Sequence, residues 1–350
     1  MSTDRQVMEL RASPHLRLAR GVPGMMREVA LALVPVAAWA VWQFGLAALL
    51  VLATTTAACL ATEAALGRPG GRAEALGDGS ALVTGLLLGL TLPPAFPLWM
   101  AAVAGVVAIG LGKALFGGLG HNVFNPALVG RAFVQAAFPV AITTWVPPFL
   151  PGRFDAVPPS TLAAPFASPA PVAPWLDGLS VDAWSGATPL ALQKFSQTDT
   201  AAWELMAGMT GGSAGEGPAL LIALAGLFLV IRGVVDWRIP VAVLAGAAAT
   251  AAGLGALGAA GAPGPWTTLF SGGLMLGAWF MATDPLGSPI TPLGVWIFGA
   301  LVGLVTVVIR VYGGLPEGVM YAILLGNAAT PVIDRLTRPR PFGYRGRPAA

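Results

Sequence analysis

Asp182, Ser185, Gly186, Ala187 and Thr188 stand together in VDAWSGATPL, residues 181–190, a small polar island in an apolar chain. Read locally, Ser-Gly-Ala-Thr-Pro is a turn: Gly permits positive φ and Pro presets the residue that follows. The hydroxyls of Ser185 and Thr188 are the reactive atoms, but a bare hydroxyl is no nucleophile without a base. Neither of the two histidines, His15 and His121, lies nearby in sequence to supply one. No catalytic residue and no metal site therefore emerge from this stretch. A second polar group is GHNVFNPALVGRAF (120–133), where Asn122 and Asn125 precede a proline. Asn-x-x-Asn-Pro caps a helix start, and such an end also attracts anions or ligand carbonyls. Arg131, about one turn further on, is costly in lipid and must face the protein interior or the headgroups. In GGSAGEGP (211–218) the glycines around Ser213 and Glu216 either form a backbone nest for a ligand or ion or make a flexible re-entry loop. Asp284, in MATDP, is either an interfacial capping acid or a carboxylate on a cation pathway. Glu63 and Asp78 read as ordinary interfacial charges.

The elements that position these residues are dictated by composition. Of 350 residues, 56% are hydrophobic and 10% charged, with a mean hydropathy of +0.75. Soluble domains carry about 25% charged residues, so the fold class is an all-α integral membrane protein. One cysteine, Cys59, excludes an internal disulfide and a self-contained Cys-ligated cluster. The basic residues gather near the chain ends, which argues against nucleic acid as a partner; the surrounding partner is membrane lipid. The N-terminal stretch lacks a short apolar core with a cleavage site and reads as a retained tail.

A bilayer core needs roughly 20 apolar residues per helix. Ten spans are expected: 28–44, 45–62, 79–95, 97–116, 126–145, 218–235, 239–257, 271–284, 292–311 and 318–334. They divide the chain into a cytoplasmic tail (1–27), a first five-helix half (28–145), an external loop (146–217), a second five-helix half (218–334) and a cytoplasmic tail (335–350). The Lys/Arg distribution sets this orientation. Arg27, Arg68, Arg72, Lys113, Arg232, Arg238 and the basic C-terminal tail fall on one side, with Arg310 the exception. The segment 142–217 carries six acids against Arg153 and Lys194, as an exported loop can. The tryptophans, among them Trp39, Trp99 and Trp279, fall mostly near span ends and read as an aromatic belt.

The two halves are faintly similar. SALVTGLLLGLTLPP (80–94) matches SGGLMLGAWFMATDP (271–285), and KALFGGLG (113–120) matches RVYGGLPE (310–317). Five spans per half is an odd number, so the repeats would be inverted. The short runs ending in Pro93 and Pro285 then mark broken helices near a central site.

Asp182 to Thr188 also fits D-x-x-[S/T]-G-A-[T/S], the pattern on which a flavin transferase esterifies FMN phosphate to the last hydroxyl. With SPHLR (13–17), DGSALVTGLLLGLTLPP (78–94), FGGLGHNVFNPALVGRAF (116–133), DWRIPVAVLAG (236–246), MATDP (281–285), YGGLPEGV (312–319) and TRPRPFGY (337–344), the motif carries a resemblance over nearly the whole chain. The sequence resembles the NqrB/RnfD family, which unites a membrane component of the Rnf electron-transport complex with one of the Na⁺-translocating NADH:quinone reductase. Its short N-terminal tail is closer to the Rnf type. The resemblance implies covalent FMN on Thr188, with Asp182, Ser185, Gly186 and Ala187 as the acceptor motif. It also implies a second, non-covalent flavin (riboflavin or FMN) between helices. Asn122, Asn125, Arg131, Ser213 and Glu216 are candidate cofactor contacts, and Asp284 a candidate ion-pathway residue. Implied partners are the other components of an Rnf-type complex, including a second flavin-bearing one and iron–sulfur ones, and the flavin transferase. The implied location is the bacterial inner membrane, with the FMN loop periplasmic.

Two function classes follow. One is a redox subunit that couples electron transfer to Na⁺ or H⁺ translocation, inactive alone because the chain has no nicotinamide fingerprint and no cluster ligands. The other is a non-redox channel or transporter on inverted repeats, in which Thr188 stays an unmodified turn residue.

Overall fold

A computed structural model describes residues 21–67, 76–167, 169–177, 187–198, 200–259 and 261–339. Arg68, Arg72, Asp182, Ser185, Gly186 and the outer parts of both tails lie outside the described residues. Among the described residues there is no strand.

The helices of the first half are α1 (Val22–Phe44), α2 (Leu46–Leu66), α3 (Ser80–Leu90), α4 (Leu98–Gly110, extended by a 3₁₀ turn Ala114–Phe116), α5 (Pro126–Ala137) and the single turn α6 (Pro139–Ile142). Three short helices follow in the connecting segment: α7 (Ala173–Asp177), α8 (Pro189–Ser196) and α9 (Ala202–Ala207). The second half holds α10 (Ala219–Ile231), α11 (Arg238–Ala256), α12 (Pro265–Phe270), α13 (Leu274–Leu276, continued by a π turn Gly277–Met281), α14 (Pro292–Tyr312) and α15 (Val319–Thr337). Each of the ten expected apolar runs therefore contains helix. Five of them (Val22–Phe44, Leu46–Leu66, Leu98–Phe116, Arg238–Ala256 and Pro292–Tyr312) are long and apolar enough to cross a membrane. The chain is a multi-pass membrane protein.

Small residues let the long helices approach closely, as lipid-embedded packing requires. A Cβ placed on Gly105 of α4 would sit 3.1 Å from the Thr55 carbonyl of α2. One on Gly299 of α14 would sit 3.1 Å from both the Ile239 carbonyl and the Val243 nitrogen of α11. Thus α2 packs on α3 and α4 in one half, while α11 packs on α14 in the other.

The two short elements are broken where the sequence predicts. After α3, Thr91 turns its hydroxyl back on the Leu88 carbonyl (2.7 Å), and Pro93 and Pro94 prevent continuation. The freed carbonyls of Leu90 and Leu92 are taken by the backbone N–H groups of Gly215 (2.7 Å) and Ala214 (3.0 Å). The glycine-rich 211–218 loop is therefore a buried plug that completes a broken helix, and those two N–H groups are committed to it rather than free for a ligand. The π turn ends the same way, with Thr283 donating to the Trp279 carbonyl (2.9 Å) before Asp284-Pro285.

The loops sort into two sets, at opposite ends of the bundle. Met25 and Met26, at the start of α1, line one cavity together with Lys113, Leu119, Val234 and Asp284. Gln43, at the far end of α1, donates to the carbonyls of Gly208 (2.8 Å) and Thr210 (3.0 Å). At 1.5 Å per helical residue the two ends lie about 27 Å apart. We call them the cavity end and the Thr188 end.

Candidate functional site

Thr188 is the N-cap of α8, with Pro189 in the first helical position. Its backbone is extended (φ −73°, ψ 159°), and its Oγ1 accepts from the Ala191 N–H at 3.2 Å. The residue is nearly covered, at 3% exposure. Two contacts fix α8 on the bundle. Leu190 lies against Gly272, whose φ of +64° suits glycine and whose missing side chain makes room for it. Lys194 donates to the carbonyls of Gly313 and Leu315. Ala187 precedes the cap as coil.

Beneath α8 lies a buried ion cluster that joins Arg131, Ser213 and Glu216 with two residues the sequence reading did not assign, Glu317 and Arg310. Arg131 (α5) is ion-paired with Glu317, in the turn before α15, and its Nη2 lies 3.9 Å from Glu216 Oε1. Ser213 Oγ donates to the same Glu216 oxygen at 2.6 Å. Arg310 (α14) donates to the carbonyls of Thr268 (2.6 Å) and Ser271 (3.0 Å). That explains the one cation out of place in the charge distribution: it caps carbonyls exposed where α12 ends, close to two acids. Burial away from water pushes the Glu216 carboxyl up to about 8, and the neighbouring Glu317 adds to this; Arg131 and the Ser213 hydroxyl oppose it.

The cavity end holds the rest. A cavity of about 100 Å³ is lined by Met26, Asn122, Asn125, Trp279 and Asp284, among others. Asn125 caps α5, accepting from Ala127 N–H (3.0 Å) and Leu128 N–H (3.4 Å), as the Asn-Pro pattern predicts. Its amide also donates to the Met281 carbonyl, and its own N–H donates to Asn327 Oδ1 of α15 (3.3 Å). Asn122 caps nothing; it donates to the Phe124 carbonyl, and its Oδ1 is buried without a partner. Asp284 Oδ1 accepts from the Leu286 N–H (3.1 Å). Glu63, expected to be interfacial, is instead buried: Lys113 Nζ lies 2.7 Å from its Oε1, 2.7 Å from Ser80 Oγ and 3.7 Å from Asp78. A charge next to a loop reads as solvated from sequence, and only the fold of α2 against α4 reveals otherwise.

The candidate residues therefore separate into three places: Thr188 at its helix start, the Arg131–Glu216 cluster under it, and Asn122, Asn125 and Asp284 around the cavity. For the missed residues the sequence held only the faint likeness between the halves, one residue out of register at these positions. Lys113 and Arg310 open the two similar segments KALFGGLG and RVYGGLPE, and each binds a serine, Lys113 the Ser80 hydroxyl and Arg310 the Ser271 carbonyl. No group of three or more His, Cys, Asp or Glu suited to a metal ion occurs among the described residues.

Residues 9–343 match the sequence profile of the NQR2, RnfD, RnfE family. The chain belongs to that family. Among similar members, the D subunit of the ion-translocating oxidoreductase complex of Halorhodospira halophila is 39% identical over 348 residues, covering 96% of this chain and 95% of its own. The D subunit of the proton-translocating ferredoxin:NAD(+) oxidoreductase complex of Clostridium ljungdahlii is 36% identical, covering 97% and 98%. The D subunit of the Na(+)-translocating ferredoxin:NAD(+) oxidoreductase complex of Acetobacterium woodii is 38% identical, covering 95% and 94%. This NQR2, RnfD, RnfE member is thus similar over nearly its full length to proteins whose names specify different ions.

Proposed function

We propose that this chain is the flavin-bearing membrane subunit of an ion-translocating, ferredoxin- and NAD-linked oxidoreductase complex, with FMN esterified through its phosphate to Thr188. The observation that carries the reading is the D-x-x-S-G-A-T pattern ending on a hydroxyl at the start of a helix docked on the bundle. The residues fit the group. The first turn of α8 presents backbone N–H groups and the positive end of its dipole to the position of a phosphoester. A phosphoester leaves the isoalloxazine ring electronically intact, and FMN supplies one- and two-electron transfer when bound. What this chain supplies is the tether, which holds the group at high effective concentration beside the next carrier. Because Thr188 is nearly covered once α8 docks, the flavin transferase meets this segment before docking.

We assign a second, non-covalent flavin to the cavity end. Asn122 Oδ1 and Trp279 Nε1 are buried without partners, and Met25 and Met26 form adaptable walls. An apolar pocket with a few unspent polar atoms is what a flat heteroaromatic ring requires. Asp284 at the same cavity is the acid we assign to the cation route, Na⁺ or H⁺. The ten spans form two inverted five-helix repeats. Reciprocal contacts support this: Arg131 of α5 holds Glu317 before α15, while Asn327 of α15 holds Asn125 before α5. The Thr188 end faces the periplasm, and the basic cavity end the cytoplasm.

The test is a denaturing gel under ultraviolet light, using chain produced in cells that contain the flavin transferase. A fluorescent band is expected for the wild type and lost in Thr188→Ala. An unmodified Thr188 peptide mass from such cells would overturn the reading and leave the non-redox transporter.

A further inference from the structure

The ion cluster beneath α8 has more built into it than a structural salt bridge needs. Its carboxylates come from two separate loops: Glu216 enters on the plug before α10, and Glu317 on the turn before α15. One nitrogen of Arg131 brings them together: its Nη2 is ion-paired with Glu317 and lies 3.9 Å from Glu216 Oε1. Arg131 touches both, and Arg310 is the second cation within electrostatic reach. Lys194 of α8 is directed elsewhere, onto the carbonyls of Gly313 and Leu315. The groups in contact are one guanidinium, Arg131, and two carboxylates, a net −1 with both acids ionised that one proton neutralises; Arg310 is spent on the Thr268 and Ser271 carbonyls.

A route for that proton exists. A cleft of about 40 Å³ is lined by Arg131, Gln135, Thr143, Trp145, Pro316 and Glu317, room for a water or two. Arg131 is only 4% exposed, yet its Nε is buried without a partner. Glu317 Oε1 is likewise unspent. Unpaired buried polar atoms on the wall of a cleft are costly unless water or a proton donor serves them.

We propose that Glu216 and Glu317, clamped by Arg131, form a proton-binding site that loads and unloads a single proton through this cleft at the Thr188 end of the bundle. The step forms one O–H bond on the Glu216 carboxylate, shared towards Glu317, and consumes one proton from water in the cleft; no electron moves. The raised proton affinity of Glu216 agrees with this arrangement. The site stands apart from the flavin reading, since it needs only groups of this chain.

The experiment is pH-difference infrared spectroscopy of the purified full-length chain in lipid. A protonated-carboxyl C=O band should titrate away at mildly alkaline pH, where an ordinary carboxylate is already ionised. The band should be absent in Glu216→Gln, whose amide mimics the protonated acid. In Glu317→Gln it should titrate at lower pH, because a like charge has been removed. It should persist in Thr188→Ala, so that loss of flavin and loss of the proton site are told apart. An unchanged band in Glu216→Gln, or no titrating carboxyl between roughly pH 6 and 9, overturns the proposal. Should Glu216→Gln fail to fold, an unmoved midpoint in Glu317→Gln does the same.

Discussion

At the scale of single residues, the chain places charge where lipid forbids it and balances each case locally. Glu216 is protonated more readily in the folded chain than in an unfolded one, so folding binds protons as pH rises from its usual 4.5 towards about 8. A group whose proton affinity is raised on folding loses stability across that interval as pH increases. The thermal midpoint of the wild type should therefore fall relative to Glu216→Gln between those values, which a pH series of thermal melts checks; parallel curves would contradict it. Lys113 behaves differently, because it compensates a buried acid. Lys113→Met leaves Glu63 charged and unpaired with both side chains at or below 10% exposure, a change that costs about 3–5 kcal/mol. Adding Glu63→Gln should recover most of that loss, measured as the melting temperature of single and double variants. Neither pairing was legible in the sequence. Arg131 was readable as an inward-facing charge, but its partner Glu317 lies 186 positions away, and no local pattern marks which acid a buried arginine meets. Thr188 was the opposite case: its local surroundings read as a turn, which the N-cap geometry agrees with, and only motif and resemblance raised the hydroxyl to a candidate anchor.

At the scale of elements, hydropathy located the helices because the bilayer enforces their length, and it missed their ends where helices break. The run 271–284 is a clear example. Apolar content alone suggested one span, whereas that run opens on a break at Ser271-Gly272 just after α12 and holds a three-residue helix and a π turn. The break falls at Gly272, whose positive φ suits glycine and whose missing side chain leaves room for Leu190 of α8. Glycine therefore carries two kinds of information in this sequence, and substitution separates them. Gly303 of α14 faces the backbone of α11, where an added Cβ would collide with Val243 and Ala247; Gly253 of α11 faces open space. Gly303→Ala should destabilise, since packed helices must separate at a cost of about 1–3 kcal/mol. Gly253→Ala should be neutral or stabilise by up to ~1 kcal/mol through helix propensity. Thermal aggregation of the two variants in detergent, compared side by side, checks the opposite signs.

At the scale of the whole molecule, the two-ended arrangement makes the topology testable without reference to any cofactor. The described basic residues Arg27, Lys113, Arg232, Arg238, Arg335 and Arg338 gather at the ends of helices on the cavity side. Arg153, Lys194 and Arg310 sit at the Thr188 end, where each is tied to backbone carbonyls. Positively charged loops are retained in the cytoplasm, so the cavity end should be inside. If the repeats are inverted, corresponding helices run in opposite directions: α4 enters from the Thr188 end, whereas α14 enters from the cavity end. Single cysteines report this directly, once Cys59, which is fully buried, is replaced by alanine. His121 and Ile290 are exposed at the cavity end, Ala156 and Leu257 at the other. A membrane-impermeant thiol reagent applied to intact cells should label Ala156→Cys and Leu257→Cys, and should label His121→Cys and Ile290→Cys only after the membrane is opened. The first-half pair, His121 and Ala156, reports the direction of the α4–α5 region; Ile290 and Leu257 report that of α11 and α14. Labelling of Leu257→Cys and Ile290→Cys from the same side would break the alternation and with it the inverted repeat. Reversal of all four would keep the repeat but put Thr188, and the proton cleft beside it, in the cytoplasm.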